Sequence, residues 1–121
     1  MNYCPECGTH TINFKYPYKC ISCPKMFWKN PKPAVLVLQP IIMNDGKIGI
    51  VTVRRTIPPG IGELCLPCGY VDSGEQWADA AARELLEEAN IKIDPKDLYI
   101  SEVQTLEEDV MVIFAFSKST Y

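Results

Sequence analysis

The sequence predicts an α+β protein, a mixed β-sheet with helices packed on it, preceded by a small cysteine-rich module. Three observations predict this organisation. Two Cys-x-x-Cys pairs lie within the first 23 residues, and short β-rich runs lie on both sides of one segment with helical periodicity. At 121 residues, the chain is long enough for one ordinary domain, or for a small domain plus a minimal module.

The cysteine-rich module is predicted to bind zinc through two Cys-x-x-Cys pairs. Twelve residues separate the pairs, which are Cys4 with Cys7 and Cys20 with Cys23. Four thiolates suit a closed tetrahedral structural site, and the module has too few aliphatic residues to fold around a core of its own. The spacing therefore predicts a zinc-stabilised module over residues 1–32, joined by a proline-containing connector to a second domain over residues 33–121.

The β-rich runs of the second domain predict two antiparallel hairpins. An Asp-Gly turn between residues 41–43 and 48–53 indicates the first hairpin. Residues 99–105 and 110–116 predict the second, with Glu107, Glu108 and Asp109 interpreted as solvated turn residues.

One helix is predicted between the hairpins. Ser73 is expected to be its N-cap, with Gln76 as the capping-box partner, and Asn90 is expected to end it in the left-handed conformation. The apolar face expected to pack on the sheet consists of Ala78, Ala81, Ala82, Leu85 and Ala89.

Three carboxylates share one side of this helix. Glu84, Glu87 and Glu88 are spaced by three and four residues, so each neighbouring pair costs roughly 0.2–0.5 kcal/mol. Arg83 alone cannot neutralise three carboxylates, whereas a hard divalent ion such as Mg²⁺ or Mn²⁺ can. The other interpretation is an ordinary solvated acidic face.

The wider spacing around these glutamates resembles the signature of the Nudix hydrolases. In this chain the signature consists of Gly69, Glu75, Arg83, Glu84, Leu85, Glu87, Glu88, Asn90 and Ile91. Asn90 stands where the family has glycine, and Cys68 stands where relatives often have another glycine. The cysteine pairs followed by residues 28–35 (WKNPKPAV) resemble the subgroup in which a zinc ribbon precedes the Nudix domain.

The resemblance implies an α/β/α sandwich that cleaves the diphosphate linkage of a nucleoside diphosphate joined to another moiety, as in ADP-ribose, a nucleotide sugar or a dinucleotide. It implies catalytic Mg²⁺ or Mn²⁺ held by Glu84, Glu87, Glu88 and the Gly69 carbonyl. Arg83 would orient the glutamates and Glu75 would support it. Arg54 and Arg55, expected at the end of the first hairpin, are candidates for binding a substrate phosphate, or an ordinary surface strand end.

Charge divides the chain into a basic beginning and an acidic remainder. Residues 1–33 carry five lysines and Glu6, a net charge of +4, whereas residues 34–121 carry seven basic and fourteen acidic side chains, a net charge of −7. The acidic body argues against nucleic acid as a partner. No membrane span or signal peptide is evident, so the cytoplasm is the expected location.

Several alternatives stay open at this point. The chain could be a nucleotide-sensing or nucleic-acid-binding module without hydrolysis, and Cys65 with Cys68 forms a third Cys-x-x-Cys that raises a redox role. The sequence ends short of the last strand and helix usual in the fold. It is therefore interpreted as a fragment, a trimmed domain, or a protein completed by forming a homodimer.

Overall fold

The computed structural model describes residues 1–106 and 109–121, which form two compact units, Met1–Pro31 and Lys32–Tyr121. The first unit contains a short antiparallel hairpin of β1 (Tyr18–Lys19) and β2 (Met26–Phe27). In the part of the chain that the structure describes, no helix is long and apolar enough to cross a membrane.

The second unit is built on a mixed four-stranded sheet. The described strands of this unit are β3 (Lys32–Leu38), β4 (Pro40–Ile42), β5 (Ile48–Ile50), β6 (Val53–Arg54), β7 (Leu64–Cys65), β8 (Cys68–Tyr70), β9 (Leu98–Leu106) and β10 (Val110–Ser117). The sheet order is β8-β3-β10-β9, in which β3 and β10 are parallel and the other pairs are antiparallel. The pairs β4–β5 and β6–β7 form two further short antiparallel hairpins.

Both predicted hairpins of the second unit are confirmed, as β4–β5 and β9–β10. The turn prediction for Glu107 and Glu108 falls outside the described residues. The first hairpin ends at Ile50, so the prediction that it continues to Arg54 and Arg55 is wrong. Arg54 lies instead on β6, which pairs with β7.

Helix α1 (Trp77–Ala89) packs against the sheet and is the single α-helix among the described residues. A short 3-10 turn follows at Pro95–Asp97. Ala80, Ala81 and Leu85 are fully buried against Val35 and Val37 of β3. The small alanines let the helix backbone approach the sheet closely, and this brings the polar side chains beside the apolar face to the edge formed by β8. The expected mixed sheet with a helix packed on it is confirmed. The described residues form one of the two helical layers expected for the α/β/α sandwich.

The C-terminal end of α1 agrees with the prediction from the sequence, whereas its N-terminal end does not. Asn90 ends the helix in the left-handed conformation, with φ of 54°, and its N–H donates to the Leu86 carbonyl at 2.9 Å, as predicted. The predicted Ser73 cap is wrong, because the helix begins at Trp77 with Gln76 as N-cap and no side-chain cap hydrogen bond. Gly74 has φ of +80°, so the chain turns at this position before the helix starts.

Candidate functional site

Gly69 and Glu84 form the base of the candidate site. Gly69 lies on β8 opposite Val35 of β3, and a Cβ built on Gly69 would overlap the Glu84 carboxylate. Glu84 is only 9% exposed, although it is charged. The absence of a side chain at Gly69 therefore creates the space in which a buried carboxylate lies against the strand.

Arg83 connects the helix to the segment that precedes it. Its Nε and Nη2 donate to the two carboxylate oxygens of Glu75 at 2.8 and 2.9 Å, a bidentate pair. Its Nη1 donates to Glu84 Oε1 at 2.8 Å, and Nη2 also donates to the Tyr70 carbonyl at 3.1 Å. One guanidinium thus fixes Glu84 and Glu75 relative to β8.

The segment before the helix is organised around Glu75 rather than around a cap. The Asp72 N–H donates to Glu75 Oε1 at 3.0 Å, and Asp72 Oδ2 lies 3.6 Å from Arg83 Nη2. Hydrogen bonds from the Arg83 side chain and the Asp72 backbone lower the pKa of Glu75 to about 2, and the same contact raises the pKa of Arg83. Glu75 therefore stays negatively charged and Arg83 stays positively charged near neutral pH.

Glu87 and Glu88 are exposed at the mouth of the site. Arg83 Nη1 lies 3.4 Å from both Glu87 oxygens, a longer contact than those to Glu75 and Glu84. Glu88 Oε2 accepts the Cys68 N–H at 3.4 Å. Partial burial, together with the neighbouring carboxylates of Glu84 and Glu87, raises the pKa of Glu88, so negative charge here exceeds what Arg83 compensates.

The donor set of this site fits a hard divalent cation, because it consists of carboxylates in excess over their one guanidinium. The carboxylate oxygens of Glu84, Glu87 and Glu88 do not all lie within 4.8 Å of one another. Over the described ranges, the four N-terminal cysteines are the one group of three or more potential ligands whose atoms all lie within 4.8 Å of one another.

A cleft of about 710 Å³ brings the exposed glutamates together with the predicted phosphate-binding arginines. Glu87, Glu88, Arg54 and Arg55 all line it, beside apolar side chains of β3 and β10. Arg54 Nη1 donates to the Gly62 carbonyl at 2.8 Å and Arg55 Nε donates to the Pro59 carbonyl at 2.7 Å. The loop between β6 and β7 therefore anchors both guanidinium groups at the cleft.

Cys65 and Cys68 also line this cleft. Burial, and then the negative charge of Glu88, raises the pKa of the Cys68 thiol. A raised pKa disfavours the thiolate, which is the reactive form in redox and nucleophilic chemistry. The raised pKa therefore does not support a reactive Cys68 thiolate, and the backbone N–H of Cys68 donates to Glu88 in the site.

Sequence reasoning missed three contributions to the site, from Tyr70, Asp72 and the Cys68 backbone. All three act through main-chain groups, the Tyr70 carbonyl and the N–H groups of Cys68 and Asp72, which residue type does not reveal. The spacing of Asp72 and Glu75 could have indicated a turn closed by a carboxylate.

The four N-terminal cysteines form a compact cluster in the first unit. Cys4 Sγ lies 3.7 Å from Cys23 Sγ, and Cys7 Sγ lies 3.6 Å from Cys20 Sγ. A tetrahedral zinc ion with Zn–S bonds of about 2.3 Å separates its sulfurs by about 3.8 Å. The cluster is therefore compatible with zinc.

The cysteines of this cluster differ in how readily they ionise. Hydrogen bonds from the side chain and backbone of Thr9 lower the pKa of Cys7 to about 6. The Lys25 backbone N–H favours the Cys23 thiolate, but burial and the neighbouring sulfurs raise its pKa to about 12. Four sulfurs this close cannot all be thiolates without a cation.

Comparisons with known proteins agree with the fold. The model of the NUDIX domain matches residues 30–120, so this chain belongs to the NUDIX family. Human "NAD-capped RNA hydrolase NUDT12" is 30% identical over 99 residues, which are 75% of this chain and 21% of that protein. The chain therefore spans about a fifth of the length of this relative.

Solved structures show the same fold. A NUDIX hydrolase from Nitrosomonas europaea is 26% identical, with a TM-score of 0.65, over 97% of this chain and 68% of that one. The Ap4A hydrolase of C. elegans, solved as a binary complex, is 29% identical, with a TM-score of 0.56, over 73% of this chain and 66% of that one.

Proposed function

We propose that this chain hydrolyses the diphosphate linkage of a nucleoside diphosphate joined to another moiety, with Mg²⁺ or Mn²⁺ as cofactor. The observation that carries the proposal is the cleft whose lining contains Glu87 and Glu88 together with Arg54 and Arg55. A diphosphate is anionic and its hydrolysis needs charge stabilisation, so cations and cation-binding groups must meet at one place. Relatives named for hydrolysis of NAD-capped RNA and of Ap4A support a nucleotide derivative as the substrate.

Glu84, Glu87 and Glu88, with the Gly69 carbonyl, are the residues that would hold the divalent cation. When bound, such an ion lowers the pKa of a bound water and neutralises charge on phosphate oxygens. The protein's own task is to keep these carboxylates ionised and fixed in place, with Glu87 and Glu88 lining the cleft. Glu84 needs the most support, because it is the most buried of the three.

Arg83 and Glu75 act as positioning residues in this proposal. Arg83 orients the Glu84 carboxylate by donating to one of its oxygens, and the bidentate bond to Glu75 fixes the guanidinium itself. Arg83 bonds directly to Glu84 and Glu75 bonds to Arg83, so both would act through Glu84.

Arg54 and Arg55 would bind the phosphates of the substrate. Each uses one nitrogen for a backbone carbonyl in the loop between β6 and β7. The remaining N–H groups of each guanidinium are then oriented for phosphate oxygens at little further cost in side-chain entropy. Loss of either arginine would therefore raise KM more than it lowers kcat.

The first unit would be a structural zinc module, with Zn²⁺ held by Cys4, Cys7, Cys20 and Cys23. Four cysteine ligands leave no open position on a tetrahedral ion, so this site would have no catalytic part. The division into residues 1–32 and 33–121, a homodimeric state and a cytoplasmic location stay predictions of the sequence.

A substrate panel with product identification tests the proposed activity. ADP-ribose, NADH, Ap4A, a nucleotide sugar and ATP are incubated with the full chain and Mg²⁺ or Mn²⁺, and the products are separated by chromatography. We expect mononucleotide release from at least one compound with a diphosphate bridge. The Glu87→Gln/Glu88→Gln variant should lose at least the 10- to 100-fold that removal of an outer-shell partner costs at metal sites.

Asp79→Asn is the matched control, since Asp79 is an exposed carboxylate in the first turn of the same helix. It should leave the rate unchanged. Nucleotide binding without turnover would favour a sensor over a hydrolase, and no turnover of any compound would refute the proposed activity.

A further inference from the structure

The first unit carries a surface that the proposed hydrolysis does not use, the segment of residues 15–19 (KYPYK). It joins the two cysteine pairs and contains strand β1. Lys15, Tyr16 and Lys19 are exposed, whereas Tyr18 is buried. An exposed aromatic ring between two lysines is thus presented on a module fixed at one end by Cys20.

Tyr16 is exposed but held in place. Its ring lies edge-on to Phe14, with centroids 4.6 Å apart and an interplanar angle of 80°. Phe14 in turn packs on Tyr18 at 5.1 Å, and the Tyr18 hydroxyl accepts the Ile12 N–H at 3.4 Å. Tyr16 remains 46% exposed on this support, so a fixed ring is available to a planar group from solvent.

The lysines beside Tyr16 differ from Lys25 of the same module. Lys25 lies 3.8 Å from Glu6, the one acidic side chain among residues 1–33. In the described part of the chain, neither Lys15 nor Lys19 forms an ion pair. Two lysines without an ion pair among the described residues therefore lie close to Tyr16 along the chain, at positions 15 and 19.

We propose that the segment of residues 15–19 binds single-stranded nucleic acid, with Tyr16 stacking on a base and Lys15 and Lys19 contacting phosphates. Aromatic platforms beside lysines bind single strands because every base has a π-face and every linkage has a charge. A duplex hides its base faces, and an acidic peptide supplies charge without a planar partner for Tyr16. The acidic body argued against nucleic acid for the chain as a whole, but this module has the opposite charge.

Fluorescence anisotropy with the full, zinc-loaded chain tests this surface. The probes are a labelled oligo-dT, an oligo-U of the same length and a matched duplex, each titrated at several salt concentrations. The single strands should bind more tightly than the duplex. Binding of the duplex as tightly as the single strands, or displacement of oligo-dT by poly-glutamate as readily as by unlabelled oligo-dT, would overturn the proposal.

Two pairs of variants separate stacking from charge. Tyr16→Ala should weaken single-strand binding about five-fold or more, whereas Tyr16→Phe, which keeps the ring, should bind like the wild type. Lys15→Gln/Lys19→Gln should reduce the slope of log K against log salt by about 1.4, since each single-strand phosphate contact contributes about 0.7. Lys92→Gln/Lys96→Gln, in the second unit, is the control and should not change that slope.

Zinc content shows whether each variant keeps its fold. If Tyr16→Ala loses zinc, the salt dependence of binding in Lys15→Gln/Lys19→Gln is the test of the proposed surface. An unchanged salt slope in Lys15→Gln/Lys19→Gln with zinc retained would refute the proposed surface.

Discussion

Replacing Gly69 with alanine tests the packing on which the whole glutamate site depends. A Cβ at Gly69 would lie 2.6 Å from Glu84 Oε2 and closer still to Oε1, whereas ordinary contact begins at about 3.4 Å. The carboxylate must therefore retreat by at least about 0.8 Å, which is the difference between these distances for Oε2, and by more to clear Oε1. A misplacement of about 1 Å can cost about 100-fold in rate, so Gly69→Ala should lower kcat/KM by roughly that factor.

Steady-state kinetics on the substrate identified in the panel measures this effect, with thermal unfolding as the test of the fold. Gly49→Ala is the matched control, because the closest contact of its Cβ would be the flexible Met43 side chain, at 3.0 Å from Sδ. A double-mutant cycle sharpens the test. Once Gly69→Ala has displaced the carboxylate, adding Glu84→Gln should cost far less than it does alone. Fully additive losses, or wild-type activity in Gly69→Ala, would refute the packing argument.

Three further predictions concern the groups around the site and the cysteine cluster. The lowered pKa of Glu75 means that its ionised form stabilises the fold above its ordinary pKa near 4.5, and that this contribution is lost as the pH falls towards about 2. The difference in unfolding free energy between wild type and Glu75→Gln should therefore be constant near neutral pH and shrink over this window; a difference that does not change with pH would contradict the ion pair. In chemical denaturation, Asn90→Gly should leave the free energy of unfolding nearly unchanged, whereas Asn90→Val should lower it by about 1–2 kcal/mol because of the positive φ. Equal stability of the two variants would count against the left-handed helix end. Metal analysis should find one zinc per chain, lost in Cys4→Ser but retained in Cys65→Ser/Cys68→Ser, and retention of zinc in Cys4→Ser would exclude the four-cysteine site.

The elements that could be predicted from the sequence are those set by local pattern. The Asp-Gly turn predicted the β4–β5 hairpin, and the alanine stripe predicted the buried face of α1. Asn90 was predicted as the helix stop because few other residues tolerate a left-handed backbone. Each of these features depends on residues close together in the chain.

The features that could not be predicted depend on contacts across the fold. The helix starts at Trp77 and not after Ser73 because Glu75 is occupied by Arg83, eight residues further along the chain. Arg54 and Arg55 reach the cleft through a loop whose path is set by backbone carbonyls of Pro59 and Gly62. Neither the Glu75–Arg83 contact nor the contacts of the arginines with backbone carbonyls can be recognised from residue type alone.

The most direct test of the central proposal is the dependence of diphosphate cleavage on divalent metal. The full chain, with its zinc retained and other metals removed, is titrated with Mg²⁺ while the rate of cleavage is measured in wild type and in Glu87→Gln/Glu88→Gln. We expect no cleavage without added metal, saturable activation in the wild type, and little activation in the variant. Cleavage that needs no divalent metal, or equal activation of both proteins, would contradict hydrolysis at the glutamate site.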